Sequence, residues 1–230
     1  AEGTAHITIT SENRQTFVTR VEVGRGLSVR REKAVMMFTG DIMCAVKHQR
    51  LAYGHQHDYF DSFRRVRDIL SGADFTAGVL ETTSIDRAPF EFEQLRLLTG
   101  APNCNSPSTF ISAVAAAGFN AVVTANNHNS DCGVEGLKAA DSEIRRCGML
   151  NIGSMGHSLV MTDVKGIKVA VIATTMITNN TGWDLSKSGL VNPAGIYSRD
   201  YFTELVNSAR RMGAEFIAAY QHWGLSLIHI

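Results

Sequence analysis

Residues 125–133, ANNHNSDCG, bring an amide, an imidazole and a carboxylate (Asn127, His128 and Asp131) within five positions. Such side chains supply lone pairs for a metal and a proton for transfer near neutral pH. The segment follows a strand-forming run with Phe119, Val122 and Val123 and precedes a helix-like one. The carboxyl end of a strand is where α/β proteins present metal and catalytic groups. The same polar run also suits a plain strand-to-helix connection, with Asn and Asp satisfying turn amides and Asp131 capping a helix that starts near Val134. Both readings are open on this segment alone.

Other segments share its plan. Residues 35–41 (VMMFTGD), 75–83 (FTAGVLETT) and 215–224 (EFIAAYQHWG) are apolar runs of strand length that end in or run into Asp41, Glu81 and His222. Acidic and imidazole groups are costly inside a sheet, so their recurrence at strand ends calls for a reason. Parallel strands would deliver all of them to one edge, where they can converge on a metal.

The motifs FTGDIM (38–43), VLET (79–82), APNCNSP (101–107), VVTANNHNSDCGVEGL (122–137), GIKVAVIA (166–173) and HWG (222–224) occur in this order. In this the chain resembles the capsule-synthesis protein CapA family, also called the poly-gamma-glutamate biosynthesis family, of the calcineurin-like metallophosphatase superfamily. The resemblance runs from about Val35 to Gly224. It implies a layered α/β sandwich of metallophosphatase type, with one or two divalent ions (Mn, Fe, Zn or Mg) in the complete domain. By the same resemblance Asp41, Glu81, Asn127 and His222 are metal ligands, His128 is a proton donor or transition-state stabiliser, and Asp131 orients His128. Asn103, Asn105, Asn126 and Trp223 are candidate substrate contacts.

The chain also departs from the family pattern. Met43 stands where the first motif carries a histidine, and a thioether suits hard divalent ions poorly. The late His-x-His motif is absent, and Ser226 occupies the position of a common glutamate. Residues 225–230, LSLIHI, therefore read as a non-native tail on a C-terminally truncated domain, and His229 is set aside as a ligand.

The formal net charge is zero and no basic run occurs, which argues against nucleic acid or an acidic membrane as partner. No apolar stretch approaches the roughly 20 residues of a membrane span. The four cysteines, Cys44, Cys104, Cys132 and Cys147, lack Cys-x-x-Cys spacing, which disfavours a structural zinc. Cys44, Cys104 and Cys132 lie near strand ends, as spectators of the site or a disulfide pair. The Asn179-Asn180-Thr181 sequon says little about compartment; location is open from this sequence, and the resemblance points only to the cell envelope of bacterial relatives.

Alternation in residues 6–10 and 17–23 predicts a hairpin within an N-terminal β-rich extension, 1–33, followed by the main domain, 34–224. From Val35 the pattern alternates strand and helix. Helices are expected at 59–70, with Phe60, Phe63, Val66, Ile69 and Leu70 inward, and at 108–117, 134–147 and 199–212. Residues 159–163 and 167–174 form a second hairpin around Lys165-Gly166. His48, His55 and His57 read as exposed histidines, and residues 153–157 (GSMGH) as a loop without the spacing of a serine nucleophile. The connection after Ile177, through Gly182, Trp183 and Asn192, is long enough to face substrate.

Two function classes follow. One is a metal-dependent hydrolase, phosphoesterase-like, acting on a phosphoester or on an amide of an anionic envelope polymer, in a biosynthetic complex with membrane partners. The other is a noncatalytic assembly factor that uses the same fold to hold a polyanion such as poly-gamma-glutamate. Met43 favours the second, and the retained Asp41, Glu81, Asn127, His128 and His222 favour the first.

Overall fold

A computed structural model describes residues 3–10, 16–23, 33–44, 46–86, 104–179, 184–190 and 192–223, the first two segments as backbone. The chain divides into two compact units, residues 1–33 and 34–230. The first holds β1 (Gly3–Thr10) and β2 (Thr16–Val23), an antiparallel hairpin in the place the alternation predicted.

The second unit runs β3 (Met36–Ile42), α1 (Val46–Tyr53), α2 (Arg67–Ser71), β4 (Phe75–Leu80), α3 (Ser108–Ala116), β5 (Ala121–Val123), α4 (Gly133–Arg146), β6 (Leu150–Ile152), β7 (Leu159–Val164), β8 (Ile167–Thr175), α5 (Arg199–Arg211) and β9 (Phe216–His222). Strands β3-β4-β5-β6 form a wholly parallel sheet. A second sheet, β7-β8-β9, has β7 antiparallel and β9 parallel to β8. The β7–β8 turn is made by Lys165 and Gly166, both at positive φ, as expected of that dipeptide.

Strand alternation builds the layers. On one face of the parallel sheet Ile42, Leu80 and Val122 pack with Phe110, Ile111 and Val114 of α3 and Ile144 of α4. On its other face Phe75, Ala77, Val79, Ala121 and Val123 meet Val169, Val171 and Ala173 of β8. The alternate β8 residues, Ala170 and Ile172, face Phe202, Leu205 and Ala209 of α5. The result is helix, sheet, sheet, helix, the layered α/β sandwich that the sequence pointed to. With both faces of β4 and β8 covered, burial at about 25 cal/mol per Å² of apolar surface holds the two sheets together.

The helix expected over 59–70 is corrected. The segment splits into a 3-10 turn, Tyr59–Phe63, capped by the Asp58 carboxylate, and the short α2. The break shifts the helical phase, so Leu70 and Phe63 pack inward while Phe60, Val66 and Ile69 are exposed, Ile69 to 62%. The other three expected helices lie within a residue of their bounds, whereas α1 is not among those expected.

Candidate functional site

Four strand ends converge. Between Phe38 and Asp41 the β3–β4 register slips, the mark of a β-bulge, which re-aims the side chains that follow it. Gly78 lets β3 lie this close: a Cβ there would meet Thr39, Ile42 and Phe119 at clash distance. Glu81 follows β4 directly, its N–H donating to Ile42 O at 3.1 Å and extending the ladder by one step. After β5 the chain turns through Asn126, whose amide nitrogen donates to Leu80 O (2.9 Å) and whose Oδ1 accepts from His128 N (3.0 Å). His222 ends β9, and two residues earlier the Tyr220 hydroxyl donates to Thr39 O at 2.6 Å, with Ala77 O at 3.2 Å. That contact brings the end of the second sheet onto the first.

His222 is the meeting point. Its Nε2 lies 2.8 Å from Asn127 Oδ1 and 3.9 Å from Glu81 Oε1, and its Nδ1 lies 4.0 Å from Asp41 Oδ1. His128 Nε2 is also 3.9 Å from Glu81 Oε1, while its Nδ1 is 2.7 Å from Asp131 Oδ2. Asp131 is fully buried and accepts a second bond, from Cys104 N at 2.6 Å. The Asp131 carboxylate accepts from His128 Nδ1–H at 2.7 Å, and the ring turns Nε2 toward Glu81. Asn179 N–H donates to Asn127 O (3.2 Å), and its side-chain nitrogen lies 3.1 Å from the same Nδ1.

The electrostatics follow from burial. Burial first, then the charge of Asp41, pushes the Glu81 carboxyl up from 4.5 to about 7, with His128 opposing. Burial holds His222 below its ordinary value, against the pull of Asp41, and so keeps its imidazole neutral and able to ligate. Oxygen donors from Asp41, Glu81 and Asn127 and nitrogen from His222 form a set that suits a hard or borderline divalent cation, whose charge would offset the desolvation of Glu81.

Residues 35–228 match the family described as "Bacterial capsule synthesis protein PGA_cap". The chain belongs to that family. It is 25% identical over 168 residues to the "Capsule biosynthesis protein CapA" of Bacillus anthracis, covering 70% of this chain and 39% of that one. It is 30% identical over 118 residues to the "Uncharacterized protein y4sH" of Sinorhizobium fredii, covering 51% of this chain and 24% of that one. The chain thus spans well under half the length of these relatives. Among solved structures, the NAD nucleotidase NadN of Haemophilus influenzae superposes with a TM-score of 0.41 at 13% identity, over 96% of this chain and 32% of that one.

Within this PGA_cap domain Cys104, His128 and Asp131 form a buried cluster whose ligand atoms lie within 4.8 Å of one another, a geometry compatible with a metal ion. The sequence pattern left Cys104 as a spectator or disulfide partner; none of the four cysteines is joined in a disulfide. Asp131 is not a helix cap: the N-cap of α4 is Cys132, without a side-chain cap bond. The Asp131 carboxylate lies 2.7 Å from His128 Nδ1 instead.

Asn105 and Asn126, expected as substrate contacts, are both fully buried. The Asn105 side chain bonds Thr83 and both backbone groups of Ile85, and that of Asn126 bridges β4 to the His128 loop. They brace the site. Asn103 lies outside the described residues, as do Gly182, Trp183 and residues 225–230. Trp223, 64% exposed beside His222, is open to a ligand. His48 and His55 are exposed, and His57 bonds Ser62. Ser154 is buried against Thr124, a loop residue as expected.

No described helix is long and apolar enough to cross a membrane.

Proposed function

We propose that this PGA_cap domain is a metal-dependent hydrolase, phosphoesterase-like, acting on an anionic polymer or phosphoester of the cell envelope. The observation that carries the reading is the Glu81 carboxyl, 3.9 Å from both His128 Nε2 and His222 Nε2 and destabilised as an anion first by burial and then by Asp41. A carboxylate so placed is a ligand in want of a cation. Asp41, Glu81, Asn127 and His222 would hold one or two divalent ions, of Mn, Fe, Zn or Mg type, which would supply Lewis-acid polarisation of the scissile bond and an activated water. The imidazolium form of His128, its Nδ1–H donating to Asp131, would present Nε2–H to protonate the leaving group and be left as the neutral ring. Trp223 offers an open aromatic face beside the site.

Met43 supports a second reading, a polymer-holding assembly factor with at most one ion, because it puts a thioether where a nitrogen ligand stands in relatives of this superfamily. Loading the protein with Mn²⁺, measuring bound metal by elemental analysis and following hydrolysis of bis(p-nitrophenyl) phosphate separates the two. The hydrolase reading expects bound metal and turnover that a chelator abolishes. Bound metal without turnover on this ester or on a polyglutamate amide supports the assembly factor, and absence of metal binding sinks the hydrolase.

A further inference from the structure

Asn127 must present its amide oxygen, not its nitrogen, if it is to ligate a cation, and the two ends of an amide are close to isosteric. What decides between them is the partner of the nitrogen. In this structure Asn127 Nδ2 donates to Asn179 Oδ1 at 3.2 Å, which leaves Oδ1 turned toward His222. Asn179 sits four residues beyond β8, in the second sheet's connection, whereas Asn127 follows β5 in the first. Its backbone N–H also donates to Asn127 O at 3.2 Å, so both the main chain and the amide of Asn127 are gripped by one residue.

We infer that Asn179 is a positioning residue that fixes the amide orientation of Asn127 for metal binding. This rests on the reading of Asn127 as a ligand. Asn179 touches neither the proposed ion nor the reacting bond; it acts through Asn127. Removing its side chain frees the amide to turn its nitrogen toward His222, a state that cannot ligate through oxygen. Partners that orient a ligand are commonly worth 10- to 100-fold in metal affinity.

The test is calorimetric titration of Mn²⁺ into the wild-type protein and the variants Asn179→Ala, Asn179→Asp and Asn127→Ala, each checked for an unchanged Tm. Asn179→Ala should weaken binding by roughly 10- to 100-fold. Asn179→Asp keeps an oxygen to accept from Asn127 Nδ2 and should retain affinity, a rescue that a merely space-filling role would not produce. If Asn127→Ala weakens binding but Asn179→Ala does not, the positioning role is overturned while the ligand reading stands. If Asn127→Ala leaves affinity unchanged, the ligand reading itself fails and the inference falls with it.

Discussion

His222 Nε2 donates to Asn127 Oδ1 across 2.8 Å, joining the last residue of β9 in one sheet to the loop after β5 in the other. Both atoms are the ones each side chain would offer to a cation. The oxygen has a second lone pair, but a protonated Nε2 has none, so ligation requires the His222 proton to leave or to move to Nδ1, near Asp41.

Nitrogen-15 NMR of the His222 ring should therefore report a protonated Nε2 in metal-free protein and a change of tautomer on adding Zn²⁺. A ring spectrum unmoved by saturating metal would remove His222 from the ligand set.

Glu81 makes stability depend on pH. Its folded-state pKa of about 7 lies above the ordinary 4.5, so the folded protein binds a proton that the unfolded chain has released. Stability from this group is full below about pH 4.5 and is lost as pH rises through about 7. In chelator, Glu81→Gln should thus stabilise the domain at pH 8, by on the order of 2 kcal/mol, with the gain gone at pH 4. Urea unfolding at the two pH values checks it, and an equal effect at both would show that Glu81 is not desolvated as the structure has it.

His128→Gln should leave metal content nearly intact and lower turnover by roughly 10²- to 10⁴-fold, the usual worth of a general acid. Release of metal by this substitution, seen in elemental analysis, would make His128 a ligand, as the buried cluster with Cys104 and Asp131 also allows.

Tyr220→Phe removes the hydroxyl that reaches Thr39 O and Ala77 O and leaves those part-buried carbonyls without that donor. We expect a loss of about 1 kcal/mol in urea unfolding. Metal affinity should fall with it, because Tyr220 and Thr39 stand two residues before His222 and Asp41. Wild-type affinity in this variant would show that the bond tethers the sheets without setting the site.

Much of the site is legible in the chain because charge at a strand end is expensive and therefore conspicuous. Asp41, Glu81 and His222 each end or follow an apolar run, and Asn127 and His128 come a few residues after β5, where a strand-ends-as-edge argument puts them. Helical periodicity likewise locates α3, α4 and α5, because one face of each must be apolar to pack.

What only the tertiary structure decided concerns partners distant in sequence. β4 is buried at every position and β8 at nearly every one, so their composition carries no alternation from which to tell one sheet from two. The inward residues of 59–71 depend on a helical break that the periodicity does not mark. Whether Asp131 caps α4 or holds His128, and whether Asn126 meets substrate or braces β4, turns on which donor lies within 3 Å after folding, since the same side-chain atoms serve either role. Asn179 was invisible as a site residue for the same reason: an asparagine four residues past a strand becomes informative only when the second sheet carries it against Asn127. The identities of the groups that could do chemistry belong to the sequence, whereas their orientation, and hence which of them can act, is set by packing between the sheets.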